Sequence, residues 1–180
     1  ETIFIWSGQH YSDNLKGIFF RELNVEPAVI ELGASGEEDA EIVSKVVIGL
    51  HDVLKKIKPD VAVFLGDNNT NASSIAPALL NIPIVHIEGG MRSYDWRMPE
   101  EKYRTIVDHL SDLIYVYLPE YRDQAIREGI NPKNIVVVGN PIVDIINEFY
   151  LKRKKHFDKI ADESFFKKRK ISKKNYLIMT

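Results

Sequence analysis

The run Val61-Ala62-Val63-Phe64-Leu65 constrains this chain more than any other feature, because it is apolar throughout and does not alternate. A strand with one buried face alternates apolar and polar residues. One that is apolar at every position calls for cover on both faces, the situation of a central strand in a parallel sheet flanked by helices. Ile84-Val85-His86-Ile87 has the same character. Parallel neighbours must be joined by crossovers of a dozen residues or more, usually helical, and helical patterns do occupy the intervals.

Thr2 to Trp6, Ala28 to Leu32, Val61 to Leu65, Ile84 to Ile87, Leu113 to Tyr117 and Ile135 to Val138 read as strands. Ser12 to Leu23, Glu100 to Ser111, Glu120 to Glu128 and Val143 to Tyr150 read as helices. A further helix is expected from a capping box, Ser35 with Glu38 three residues on, and its apolar Val43, Val46, Val47, Leu50, Val53, Leu54 and Ile57 recur at helical spacing up to the stop at Pro59. The expected fold is therefore α/β, a Rossmann-like parallel sheet with helices on both faces.

Length and composition fit that fold and narrow the function. With 180 residues, 44% hydrophobic and 28% charged, the chain suits one domain with the start of another. A net charge of -2 gives no overall field for nucleic acid or an acidic membrane, so an anionic ligand must be held by local groups. Cysteine is absent, which removes disulfides, thiolate zinc sites and thiol catalysis. No apolar run approaches the roughly 20 residues of a membrane span, and a cytoplasmic setting is expected.

Lys152 to Lys174 is rich in lysine and arginine, and either a basic binding patch or a solvated connection would account for it. The connection is favoured because Asp158, Asp162 and Glu163 break up the charge. The expected organisation is an N-terminal domain over 1–150, a connecting segment over 151–175 and the start of a second domain at 176–180. Both ends read as cuts through strands.

In open parallel sheets, ligands bind beyond the carboxyl ends of the strands. Polar clusters follow four of the expected strands: Ser7-Gly8-Gln9-His10, Gly66-Asp67-Asn68-Asn69-Thr70, Glu88-Gly89-Gly90 and Gly139-Asn140. Asp67 is either a local turn-former, ahead of a helix that Asn69 or Thr70 would cap, or a carboxylate held near a substrate. Glu88, at the edge of a buried strand and followed by two glycines that permit close backbone approach to a ligand, is placed for proton transfer. His86 is expected to be a satisfied core residue. Pro99 suits a first helical turn, and Glu100 and Glu101 then sit at the positive end of the helix dipole. Arg92, Arg97 and Arg104 around them suggest an anionic or carboxylate partner.

Taken together, Gly66-Asp67-Asn68-Asn69-Thr70, His86-Ile87-Glu88-Gly89-Gly90-Met91-Arg92-Ser93, Met98-Pro99-Glu100-Glu101-Lys102-Tyr103-Arg104 and Val138-Gly139-Asn140-Pro141 resemble the non-hydrolysing UDP-N-acetylglucosamine 2-epimerases. The resemblance implies one half of a GT-B architecture, in which two Rossmann-like domains close on a UDP-sugar. It implies inversion at C2 by elimination and re-addition of UDP, with no metal and no cofactor, in the synthesis of surface polysaccharide precursors. Asp67, Glu88 and Glu100 take the places of the family's catalytic carboxylates, and Gln9, His10, Arg92, Arg104 and Asn140 those of substrate-binding residues.

Gly89 replaces the family's alanine and Tyr103 its usual asparagine, while Trp96-Arg97 leans toward relatives acting on other UDP-acetamido sugars. The family's first strand with its Arg- and Lys-bearing phosphate loop would precede Glu1, and a His-Arg pair would follow Thr180. This chain alone is accordingly expected to give no turnover, and the complete protein to be a homodimer. A hydrolysing epimerase, a GT-B glycosyltransferase and a non-catalytic sugar-nucleotide sensor are the competing readings.

Overall fold

The computed structural model describes residues 1–8, 12, 16–23, 30–151 and 163–171. By internal contacts the chain forms two compact units, Glu1–Gly139 and Asn140–Thr180.

Among its described residues the first unit carries six strands, all in parallel pairs. β1 (Ile5–Trp6) pairs with β2 (Ile30–Glu31), and β3 (Ala62–Leu65), β4 (Ile84–Ile87), β5 (Leu113–Val116) and β6 (Ile135–Val137) form a four-stranded sheet in sequence order. The helices are α1 (Gly17–Leu23), α2 (Asp39–Ile57), α3 (Ile75–Leu79), α4 (Pro99–Leu110) and α5 (Pro119–Arg127). In the second unit α6 (Ile142–Ile145) runs into a π-helical stretch, Ile146–Leu151, and α7 spans Glu163–Lys168. Gln9, His10 and most of the basic segment that begins at Lys152 lie outside the described residues.

Register decides which side chains share a face. Phe64, His86 and Ile114 are aligned across β3, β4 and β5, and Ile114 is opposite Ile135 of β6. Leu50 and Leu54 of α2, Ala76 of α3 and Val107 of α4 pack on this face with Phe64 and Ile84. Ala125 of α5 joins Ile114, Val116 and Ile135. Each large aliphatic side chain fully buried here contributes about 1.5–3 kcal/mol.

Ile5 of β1 packs toward the same core. Its neighbours Phe4 and Trp6 point the other way and meet Phe20 of α1, with ring centroids 5.7 and 5.9 Å away. Helices therefore lie on both faces of the parallel strands, the second face being covered by α1 at β1. Cover on the second face is local. Val63 and Leu65, which alternate with buried Phe64, are each 59% exposed, so the expected two-sided burial of Val61–Leu65 does not hold.

Two caps also differ from expectation. α2 starts at Asp39 behind Glu38, which makes no side-chain cap, and Ser35 instead offers its carbonyl to Lys45 Nζ at 2.6 Å. The turn after β3 is capped by Asn68, whose side chain accepts the Thr70 N–H at 2.9 Å, and a 3-10 helix, Asn69–Ser74, precedes α3. An Asx turn needs its acceptor two residues ahead of the donor, which Asn69 and Thr70 could not provide here. The stop at Pro59 is as expected: α2 ends at Ile57 with Lys58 in the left-handed conformation, its N–H given to Leu54 O.

Candidate functional site

The parallel register brings the carboxyl ends of β3, β4 and β5 to one edge of the sheet, because Leu65 is opposite Ile87 and Ile87 opposite Tyr115. Asp67, Glu88 and Tyr117 follow these strand ends. The edge extends to β1 through Thr70, whose hydroxyl donates to Ser7 Oγ at 2.8 Å.

Asp67 is held by Arg104. The guanidinium of Arg104, on α4, pairs through Nη2 with Asp67 Oδ2 and through Nη1 with Glu101 Oε2 at 3.2 Å. Arg104 Nε is buried and has no partner among the described residues. The sequence-predicted residues Asp67 and Arg104 are thus brought together, with the carboxylate partly open to solvent and the guanidinium largely covered.

Glu101 also shapes the segment in front of α4. Its carboxylate accepts the backbone N–H of Ser93 at 2.9 Å, that of Tyr94 at 2.8 Å and the Ser93 hydroxyl at 2.9 Å. Burial pushes its carboxyl up, but these donors and the Arg104 charge outweigh that, leaving it below the ordinary glutamate value. Glu100, one residue earlier and in the first turn of α4, is half-buried and makes no hydrogen bond among the described residues. Of this adjacent pair, one glutamate is committed to the fold and the other is available.

Glu88 has an unusual backbone, with φ of 80°, a left-handed conformation that non-glycine residues seldom adopt. Its N–H and that of Gly89 both point to the Tyr115 carbonyl, at 3.0 and 3.1 Å. The Tyr117 hydroxyl donates to Glu88 Oε2 at 3.0 Å.

The two glycines after Glu88 permit close approach, but to the protein's own strand β5 and helices α4 and α5. A Cβ at Gly89 would lie 2.1 Å from Ile114 Cγ2 and 2.6 Å from Asp108 Oδ1, and one at Gly90 would lie 2.3 Å from the Tyr121 carbonyl oxygen. This corrects the expectation of a turn opened for a ligand. In this chain Gly89 is required by packing.

Beneath the turn lies a buried ionic cluster. His86 and Asp108 are wholly buried, with Nδ1 2.7 Å from Asp108 Oδ1 and Nε2 2.8 Å from the Gly66 carbonyl. Asp108 also accepts the Gly90 N–H at 3.0 Å and Arg92 Nη1 at 2.7 Å. Burial raises the Asp108 carboxyl, and the bonds and charges of His86 and Arg92 more than reverse this, so it sits below its ordinary value. His86 is the satisfied core residue expected, and it ties the Gly66 turn to the Glu88–Gly90 turn.

Arg92 had been expected at the substrate. Its side chain is 3% exposed, and its donors go to Asp108, to Glu128 and to the Met91 carbonyl. Burial pulls its pKa down, yet the bond to Glu128 and the Asp108 charge raise it overall. A guanidinium so fully used inside the fold has little left for an outside anion, and Arg92 is a structural member of the cluster. Asn140 lies in the second unit, where its side chain accepts the Ile142 N–H at 3.0 Å and starts α6.

Sequence reasoning did not single out Tyr117, Asp108 or Asp39. Asp39 accepts the Tyr103 hydroxyl and, at 3.2 Å, Asn69 Nδ2, linking α2 to the site through the residue that replaces the family's asparagine. Burial first, then Asp39, pushes the Tyr103 phenol well above its ordinary value. A tyrosine directly after the strand's last buried valine, Val116, was the available signal for Tyr117. Nothing local marked Asp108, whose side-chain partners are 16, 18 and 22 residues away.

Known proteins are similar to this chain in sequence and fold. The profile of the family described as UDP-N-acetylglucosamine 2-epimerase matches residues 1–180. The UDP-N-acetylglucosamine 2-epimerase of Methanocaldococcus jannaschii is 40% identical over 141 residues, covering 78% of this chain and 38% of the relative. The UDP-2,3-diacetamido-2,3-dideoxy-D-glucuronate 2-epimerase of Pseudomonas aeruginosa is 34% identical over 145 residues, covering 79% of this chain and 41% of the relative. A crystal structure of the Methanocaldococcus jannaschii UDP-GlcNAc 2-epimerase in complex with UDP-GlcNAc and UDP superimposes with a TM-score of 0.78 at 37% identity, over 88% of this chain and 46% of that one. The chain spans less than half the length of these relatives. With the family profile matched from end to end and the fold reproduced, the chain belongs to the UDP-N-acetylglucosamine 2-epimerase family.

Proposed function

We propose that this chain supplies one half of the active site of a non-hydrolysing epimerase that interconverts UDP-GlcNAc and UDP-ManNAc, or the corresponding pair of a related UDP-acetamido sugar. The observation that carries the reading is the placement of Asp67, clamped by Arg104, and Glu88, held by Tyr117, at one edge of the parallel sheet. Ligands in such sheets bind at that edge.

The proposed reaction starts with removal of the C2 proton by a carboxylate. The C–H electron pair forms the C1–C2 double bond as the C1–O bond breaks, and UDP leaves with that bond's pair. Re-addition of UDP at C1 with protonation of C2 on the opposite face gives the epimer. Glu88 and Glu100 are assigned to proton transfer or sugar positioning, and Asp67 with Arg104 to holding the site. Residues 1–150 would form the N-terminal domain, 151–175 the connection and 176 onward the second domain of a cytoplasmic homodimer making surface polysaccharide precursors.

The test is incubation of the complete enzyme with UDP-GlcNAc in deuterated water. Deuterium should enter C2 as UDP-ManNAc forms, and Glu88→Gln should slow both by on the order of 10²-fold. Release of free N-acetylmannosamine and UDP, with no epimeric UDP-sugar, would assign the hydrolysing reaction. A near-normal rate in Glu88→Gln would remove Glu88 from the chemistry.

A further inference from the structure

The end of β5 holds Glu88 at two levels. The Tyr115 carbonyl takes the N–H groups of Glu88 and Gly89, fixing a left-handed turn, and two residues later the Tyr117 hydroxyl reaches Glu88 Oε2 at 3.0 Å. Oε1 has no hydrogen-bond partner among the described residues. A carboxylate with one oxygen tied and one free is an oriented base. A carboxylate on a flexible side chain would sample many orientations, few of them productive.

We propose that Tyr117 is a positioning residue for proton transfer, fixing the Glu88 carboxylate through Oε2 so that Oε1 faces the carbon acid of the substrate. The inference rests on the reading of Glu88 as a proton-transfer group. The phenol suits the task at working pH: burial first, and then its bond to Glu88, push it up to about 12, so it stays protonated and a donor at neutral pH.

Two measurements test this. In the chain itself, with tyrosines labelled at Cζ, the Tyr117 resonance should titrate near pH 12 and move toward the ordinary tyrosine value of about 10 in Glu88→Gln. An unchanged titration in that variant would show that the two groups are not coupled and would overturn the proposal. In the complete enzyme, Tyr117→Phe should lower kcat and C2 deuterium exchange together by about 10-fold or more with KM within about twofold. Tyr117→His, which can still offer a donor, should recover part of the loss.

A Tyr117→Phe enzyme with kcat within about twofold of the parent would overturn the inference while leaving Glu88 in place if Glu88→Gln is slow. A normal Glu88→Gln enzyme would instead overturn the underlying reading. Equal losses in Tyr117→Phe and Tyr117→His, with KM rising in step, would assign Tyr117 to general support of the fold and overturn the positioning role.

Discussion

Replacing Arg92 by leucine tests the buried cluster directly. The guanidinium is 3% exposed and faces Asp108, which is fully buried, and Glu128, which is 24% exposed. Removing it leaves the Asp108 carboxylate with only His86 and the Gly90 N–H, in a setting where water cannot replace the lost donor. Breaking a buried pair from one side costs about 3–5 kcal/mol. Since one partner here keeps some solvent access, the lower half of that range is expected, about 3–4 kcal/mol. For a chain of this size each kcal/mol moves Tm by about 2–4 °C, so a fall of roughly 6–16 °C should appear.

Urea unfolding followed by circular dichroism is the assay, with a lower midpoint at unchanged slope marking a true loss of stability. Arg92→Leu combined with Asp108→Asn should be less destabilised than the sum of the two single changes, since the second removes the stranded charge. If Arg92→Leu proved as stable as the parent and instead weakened UDP-sugar binding by the complete enzyme, the reasoning would fail and Arg92 would return to the substrate.

Two other perturbations follow from the same turn and cluster. Gly90→Ala places a methyl 2.3 Å from the Tyr121 carbonyl at a φ of 75°, and should cost about 2–4 kcal/mol in the same urea assay; a loss below about 1 kcal/mol would mean the turn yields easily. Acid should unfold the chain through Glu101 and Asp108, both held below their ordinary values although burial opposes this. The unfolded chain binds more protons as these carboxyls return to roughly 4, so their contribution is complete above about pH 5 and is lost as pH falls through the folded values. Urea midpoints measured from pH 6 to pH 3 should decline, and a flat profile would contradict the assignment.

The fold was legible where one segment carried its own signal. The apolar runs at 62–65 and 84–87 and the periodicity of 39–57 located β3, β4 and α2, because burial and helical phase are written in neighbouring residues. Caps were less legible: Ser35 and Glu38 satisfy the spacing of a capping box, yet the chain enters α2 at Asp39, and only the three-dimensional path of residues 33–38 decides that. The site was half legible. Asp67 and Arg104, picked out in separate motifs, meet in one ion pair at the sheet edge, whereas Arg92, chosen on the same grounds, found its anions inside the protein at Asp108 and Glu128. A sequence lists the charges, and partner choice depends on which strand ends and helices meet. Glu101 likewise carried the signature of a helix start and turned out to anchor the Ser93–Tyr94 backbone.

The left-handed backbone at Glu88 has a consequence for how this chain could be stabilised. An L-residue in that conformation gives up about 1–2 kcal/mol that glycine would not. Repacking guided by stability alone would therefore favour glycine at 88, and the sturdier chain would have lost the carboxylate. Thermal robustness and the side chain proposed for proton transfer compete at this position. Engineering for shelf life would have to look elsewhere in the domain.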